Sequence, residues 1–308
     1  MPYRARLFSL RIGHAFRESC LTESYSTSRL WKDVLAGITV GVIATPLAMA
    51  LAIASGVAPQ HGLYTPIIAG FVIALTGGSR FSVSGPTAAF VTILYPIAHK
   101  YGLGGLLTVT VLSGGILVAM ALFRLGRFIE YVPESVTLGF TGGIAVVIAT
   151  FQVNDFLGLG ITDMPEHYIE KIGRLMSEVV ATHWSSLGVA SLTLSILLLW
   201  PRLKTSIPPH LPALVIGGVA AYLMTQVGLD VDTIGSRFSY VLADGTAGHG
   251  IPPALPHFEW PWLQAGADGA PMVWNWRLVQ GLLPAAFAIA MLGSIESLLC
   301  AVVLDGMT

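Results

Sequence analysis

Apolar residues run in long blocks along this chain, with polar residues between them. The blocks cover residues 34–54, 62–77, 103–123, 133–153, 184–200, 211–228 and 277–304. A helix needs about 20 mostly apolar residues to cross a hydrocarbon core of about 30 Å. Each block therefore predicts a membrane-spanning helix. One further segment, residues 80–99, starts with small and polar residues and turns apolar only towards its end. Taken as a broken span, it brings the passes to eight and returns the chain to the side on which it began.

Residues 78–90 of that segment read Gly-Ser-Arg-Phe-Ser-Val-Ser-Gly-Pro-Thr-Ala-Ala-Phe. The alternation over 81–84 predicts a short extended strand. Pro86 suits the first position of a helix, where a missing N–H is no loss. As a helix, residues 87–100 rise only about 21 Å, too little to cross the core. A half-strand followed by a half-helix places a helix N-terminus near mid-membrane, where its free N–H groups favour an anion. Broken spans of this kind hold substrate in secondary transporters.

Composition agrees with a membrane protein: 54% of residues are hydrophobic and 11% charged, against about 25% charged in soluble domains. Arg4, Arg6, Arg11, Arg17, Arg29 and Lys32 precede the first span, and Arg80, Arg124, Arg127, Arg202 and Lys204 fall on the same side. The other side carries only Lys100, Lys171, Arg174, Arg237 and Arg277. The excess places the N-terminus in the cytoplasm, and the even number of passes returns the other end there, as expected of a multi-pass membrane protein. No basic run is dense enough for nucleic acid. No secretory signal is expected at the N-terminus, and no disulfide between Cys20 and Cys300. The His residues lack metal-ligand spacing, and no His-Glu-x-x-His, Gly-x-Ser-x-Gly or Walker motif occurs. No enzymatic activity, metal or cofactor is expected.

Residues 1–33 form a cytoplasmic amphipathic segment expected to lie along the bilayer, ahead of a membrane domain over 34–308. Residues 163–181 carry Tyr168, Ile169, Ile172, Leu175, Met176 and Val179 at helical spacing among charges, which predicts an interfacial helix on the external face. Residues 229–275, rich in Pro and Trp, read as an external loop. Tyr64 is expected to pack at the membrane interface. Small residues at four-residue spacing, Gly37 and Gly41, Ala44 and Ala48, Gly139 and Gly143, predict close helix approach.

Two residues within spans could carry chemistry. Glu296 lies inside the last span, where a carboxylate is costly and faces a cavity or a partner. Burial raises a carboxylate's pKa and suits it to carry a proton. The competing reading is a structural acid hydrogen-bonded between helices. Pro46, after Thr45 in mid-span, frees a backbone carbonyl and either opens polar backbone to a cavity or makes a harmless kink.

Pro46 with Ala48-Met49-Ala50, Pro59-Gln-His-Gly-Leu-Tyr64, Gly78-Ser-Arg80 and Gly85-Pro86, in that order along the whole chain, resemble the SulP anion transporters, solute carrier family 26 in animals. Residues 239–247 and the ending Glu296-Ser-Leu-Leu-Cys-Ala-Val-Val-Leu-Asp-Gly-Met-Thr308 look most like the bacterial C4-dicarboxylate members. The resemblance implies an all-α membrane fold of two inverted seven-span repeats followed by a cytoplasmic STAS domain. This chain would supply the first repeat and the first span of the second. Substrate would lie between the half-helices of spans three and ten, flanked by spans one and eight. Spans one to four and eight to eleven would form a core moving against a gate. The site residues carried over are Thr45, Pro46 and Leu47 of span one, Gly85, Pro86, Thr87 and Ala88 of span three, and Glu296 of span eight.

The chain departs from the pattern in places. Many members have Gln after the span-one Pro and an aromatic residue four positions on, where this chain has Leu47 and Leu51. Thr87 stands where some members have Phe. The Thr that helps hold sodium in bicarbonate members is Cys300, a poor ligand for a hard cation. Proton-coupled uptake of a succinate-like dicarboxylate is the expectation, with sulfate or another inorganic anion as the alternative. A non-transporting membrane subunit and an anion channel are alternatives of other classes. The expected partners are a small anionic substrate, protons and the lipid bilayer, with a homodimer left open.

Overall fold

The computed structural model describes residues 13–22, 25–78, 83–85, 87–123, 125, 134–161, 164–165, 167–205, 207–242, 245–256, 258, 260–267, 269–270 and 272–307. Helices form where the apolar blocks predict them. They are α1 (Thr27–Ala54), α2 (Pro59–Thr76), α3 (Val91–Leu122), α4 (Glu134–Leu157), α5 (Tyr168–Glu178), α6 (Trp184–Leu199), α7 (His210–Gln226) and α8 (Trp276–Met307). Four stretches, Thr27–Ala54, Ala88–Leu122, Trp184–Leu203 and Trp276–Ser297, are long and apolar enough to cross a membrane, and Gly142–Leu157 and His210–Gln226 are shorter apolar helices. Large apolar side chains such as Leu35, Ile38, Phe71, Val118 and Leu198 stand exposed around the outside. Water would penalise such a surface, and lipid does not.

α1 begins earlier than residue 34. Ser26 is extended, and its Oγ accepts from the Arg29 N–H at 3.3 Å, which caps the helix at Thr27. Ahead of it, the described part of the N-terminal segment is tied to the end of α2. The Gly13 N–H donates to the Thr76 carbonyl at 2.8 Å and the Ala15 N–H to the Gly77 carbonyl at 3.3 Å.

Residues 88–122 are two passes joined at Gly102, which sits at φ 67°, ψ −168°. That conformation is essentially restricted to glycine. A Cβ at this position would also lie 2.4 Å from the Gly266 carbonyl carbon of the long loop. The half ahead of Gly102 rises about 21 Å, short of the about 30 Å of a hydrocarbon core. The half behind it runs back to Leu122.

α1 lies on α2, α3 lies on α8 through Ile97, Val109, Leu282 and Ala286, and α6 lies on α4 and α7. These groups touch one another more sparsely, where α1 and α4 pass α3 and where α7 passes α1. Close approach falls at particular small residues. A Cβ on Gly62 would lie 2.3 Å from the Ala48 carbonyl oxygen, and one on Gly217 would lie 2.5 Å from Thr193 Oγ1. Nothing lies within 4 Å of a Cβ built on Gly37, Gly41, Gly139 or Gly143. The close approach expected at these four glycines is corrected: they face open space, whereas Ala48 of the predicted small residues sits in a tight contact with Gly62.

The described residues between 158 and 183 and between 227 and 275 lie at the end of the helices opposite the start of α1, referred to below as the loop face. The long loop carries a two-stranded antiparallel hairpin, β1 (Ser239–Val241) with β2 (Ala247–His249). Its aromatics stack on one another: Trp260 and Trp262 lie parallel at 4.8 Å, with Phe258 and Trp274 edge-on to them. Tyr64 is anchored to this loop, its hydroxyl donating to the Ala254 carbonyl at 2.9 Å.

Candidate functional site

The broken segment differs from its expected form in two details. The predicted strand over 81–84 lies partly outside the described residues, and its described part, Val83 and Ser84, forms no strand. Pro86 also lies outside them. Thr87 is extended at φ −125°, ψ 136°, so the helix begins at Ala88, with one 3-10 turn, Ala88–Phe90, leading into α3. The shift has a local cause. The residue ahead of a helix keeps extended dihedrals, and Thr87 fills that place without capping the helix through its own side chain.

The free hydroxyl is used elsewhere. Thr87 Oγ1 donates a short hydrogen bond to Glu296 Oε1 of α8. α8 passes directly over the start of the half-helix, where Gly293, one turn before Glu296, leaves room for Phe90. A Cβ there would lie 3.5 Å from the Phe90 ring. The Ser294 hydroxyl is turned back to the Ala290 carbonyl of its own helix at 2.9 Å. A carboxylate, a hydroxyl and the unpaired N–H groups of a first helical turn thus meet at one point.

Beside this point lies a cavity of about 750 Å³, lined by Gly85, Thr87 and Ser84 of the broken segment, Ala48 of α1, Ser55 just after its end, and Thr65 of α2. It extends to Pro256 and Phe258 of the long loop. Thr45, Pro46, Leu47, Ala88 and Glu296 do not line it. α1 continues as helix through Pro46. The Thr45 hydroxyl bonds back to the Gly41 carbonyl at 2.8 Å, and Leu47 is 49% exposed. Of the sequence-predicted residues, the structure therefore brings Gly85, Thr87, Ala88 and Glu296 together. It leaves Thr45, Pro46 and Leu47 on another part of α1.

The lining residues Ser55, Thr65 and Ser84 were missed in the sequence. Ser84 had a signal, its place in the alternating stretch ahead of Gly85. A second residue missed is Lys171. Sequence reading assigns it to the charged face of α5, yet it is among the most buried polar residues, 6% exposed. Its spacing from Tyr168 and Leu175 is that of a packed face. Among the described residues no group of three or more His, Cys, Asp or Glu is placed to hold a metal.

Apolar helices with outward-facing aliphatic side chains, one span broken at mid-length and a carboxylate at the break, define a polytopic membrane protein with a broken-helix site. The match to the Sulfate permease family covers residues 30–308, and the chain belongs to that family. Its members here are transporters, not enzymes. The chain is 39% identical to "Putative sulfate transporter YvdB" of Bacillus subtilis (strain 168) over 92% of its length and 49% of that protein's. It is 30% identical to "Bicarbonate transporter BicA" of Synechocystis sp. (strain ATCC 27184 / PCC 6803 / Kazusa) over 94% of its length and 48% of that protein's. The solved transmembrane domain of a cyanobacterium bicarbonate transporter BicA superposes with a TM-score of 0.71 at 29% identity, over 90% of this chain and 66% of that one. The chain thus spans about half the length of these curated relatives.

Proposed function

We propose that this chain builds one wall of the substrate site in a secondary active transporter of small anions, which takes up C4-dicarboxylates such as succinate together with protons. The observation that carries the reading is the Thr87–Glu296 hydrogen bond at the start of the half-helix. The first-turn N–H groups after Gly85, Pro86, Thr87 and Ala88 favour a carboxylate of the substrate. An ionised Glu296 and a substrate anion at the same helix start repel each other. A proton taken up with substrate removes the repulsion, and its release resets the carrier. Cys300 in place of a hard-cation ligand supports protons over sodium. In this reading the N-terminus is cytoplasmic, the protein sits in the inner membrane, and the loop face is external.

Sulfate or another inorganic anion is the second reading, favoured by relatives named as sulfate and bicarbonate transporters. Both readings are tested by uptake of labelled succinate, sulfate and bicarbonate into proteoliposomes of the full-length protein at two external pH values. Succinate uptake that rises at acid external pH, and is lost in Glu296→Gln while exchange survives, is expected. pH-independent uptake, or pH-driven uptake by Glu296→Gln at the wild-type rate, would overturn proton coupling through Glu296.

A further inference from the structure

The cavity beside the half-helix is walled mostly by apolar side chains, with Leu51 and Ala52 from α1 and Leu94 and Leu106 from α3 among them. Hydroxyls enter it from Ser55, Thr65, Ser84 and Thr87. Among the described residues that line it there is no Lys, Arg, Asp or Glu, and the ionisable ones are His61 and Tyr64 of α2. An anion in so apolar a space is costly unless donors or a positive charge accompany it. The first-turn N–H groups of the half-helix supply donors at one part of the wall. Of the described lining residues, His61 is the one that can carry positive charge.

Its position is fixed from several sides. Ala58 is extended, Pro59 opens α2, and His61 falls in the first turn. The next residue, Gly62, is pressed against the Ala48 carbonyl oxygen, which holds this end of α2 on α1. The His61 N–H donates to the Ala58 carbonyl at 3.1 Å, and its carbonyl accepts from Thr65 Oγ1 at 2.8 Å. The His61 ring meets the Tyr64 ring edge-on at 6.4 Å. Tyr64 is itself anchored, its hydroxyl engaged with Ala254, so it offers the cavity no free proton. Among the described residues no carboxylate forms an ion pair with His61. The described lining residues of α1, α3 and the long loop bring no charged group to it. Glu296 of α8 reaches the cavity only through its bond with Thr87.

We propose that His61 is a substrate-binding residue of this cavity, whose imidazolium holds the anion that the half-helix start also attracts. This deepens the anion-transport reading and rests on it. An imidazolium and an anion attract each other far more in an apolar space than in water. Binding of either therefore favours binding of the other. Imidazole gains its proton near neutral pH, so affinity for the anion should fall as pH rises through that range. Protonation of Glu296 removes a repulsion and acts in the same direction, so variants of His61 are needed to separate the two.

The test is exchange of labelled succinate and of labelled sulfate by full-length protein in proteoliposomes, with the same pH on both sides. It is run in a His257→Gln, Glu259→Gln background, because both residues neighbour Phe258 in sequence and lie outside the described residues. A group titrating near 6.5 is about 90% protonated at about pH 5.5 and about 10% at about pH 7.5. The KM with His61 present should therefore rise about tenfold or more between them. His61→Gln should raise KM about tenfold at the lower pH and leave it unchanged at the higher. His61→Asn gives a second neutral variant should the first insert poorly. His61→Lys, charged at both pH values, should lower KM at the higher pH. A neutral variant with unchanged KM at both pH values would overturn the proposal. So would one with KM raised equally at both, since loss of packing alone does that. If neither anion is exchanged with His61 in place, the transport reading falls. Equilibrium binding of the two labelled anions to protein in detergent then decides on His61, and binding equal with and without His61→Gln, or none at all, would overturn it.

Discussion

The hydrogen bond from Thr87 to Glu296 invites a test by Thr87→Val. Valine keeps the β-branch and the extended backbone of Thr87 while deleting the donor. The Thr87 side chain does not cap its own helix, so helix initiation should be unaffected and the change falls on Glu296. A hydrogen bond to a charged acceptor contributes about 1.5–3 kcal/mol. Because Glu296 is half-buried, water recovers part of that, and about 1.5–2 kcal/mol remains. At about 1.4 kcal/mol per decade this is a loss of about 10–30-fold in kcat/KM for uptake. The assay is initial-rate uptake of labelled succinate and sulfate by full-length protein in proteoliposomes, normalised to inserted protein. Thr87→Ser, which keeps the donor, should stay within about threefold of wild type. In Glu296→Ala, which removes the acceptor, adding Thr87→Val should cause no further loss of substrate exchange, since both changes remove the same bond. A Thr87→Val protein with wild-type kcat/KM, or a double variant whose losses simply add, would refute the reasoning.

Two further outcomes are expected. Gly102→Ala forces a side chain into a glycine-only conformation and against the Gly266 backbone. It should cost about 3 kcal/mol and lower the Tm in detergent by about 5–10 °C, read by scanning fluorimetry; an unchanged Tm would show that the loop does not pack on this kink. Single cysteines at Thr205 and Ser236, both exposed, should label from the cytoplasm and from outside respectively with an impermeant maleimide, and external labelling at Thr205 would reverse the orientation assigned from loop charges.

The helices were legible because lipid leaves a chain few choices. Backbone groups must pair within the segment, and the outward side chains must be apolar, so length and composition alone locate α1, α3, α6 and α8. The broken span was legible for a related reason: the polar, proline-containing stretch ahead of residue 88 cannot continue a helix through hydrocarbon. Local dihedrals decided the finer point, that the helix starts at Ala88 with Thr87 extended before it.

What the sequence could not reveal is which side chains meet. Glu296 stood out as a carboxylate in an apolar run, but its donor lies 209 residues away, and only the crossing of α8 over the half-helix joins them. The glycine pairs at 37 and 41 and at 139 and 143 have the spacing of contact residues and face open space. In lipid both faces of a helix are apolar, so periodicity does not say which one touches protein. Lys171 is the converse case: its charge marks it as surface, yet the fold buries it between Tyr95 and Phe151. Composition thus determined that the chain enters the membrane and where it breaks. Tertiary packing decided which polar groups share a site, because that depends on the crossing of helices distant in sequence rather than on any residue's own preference.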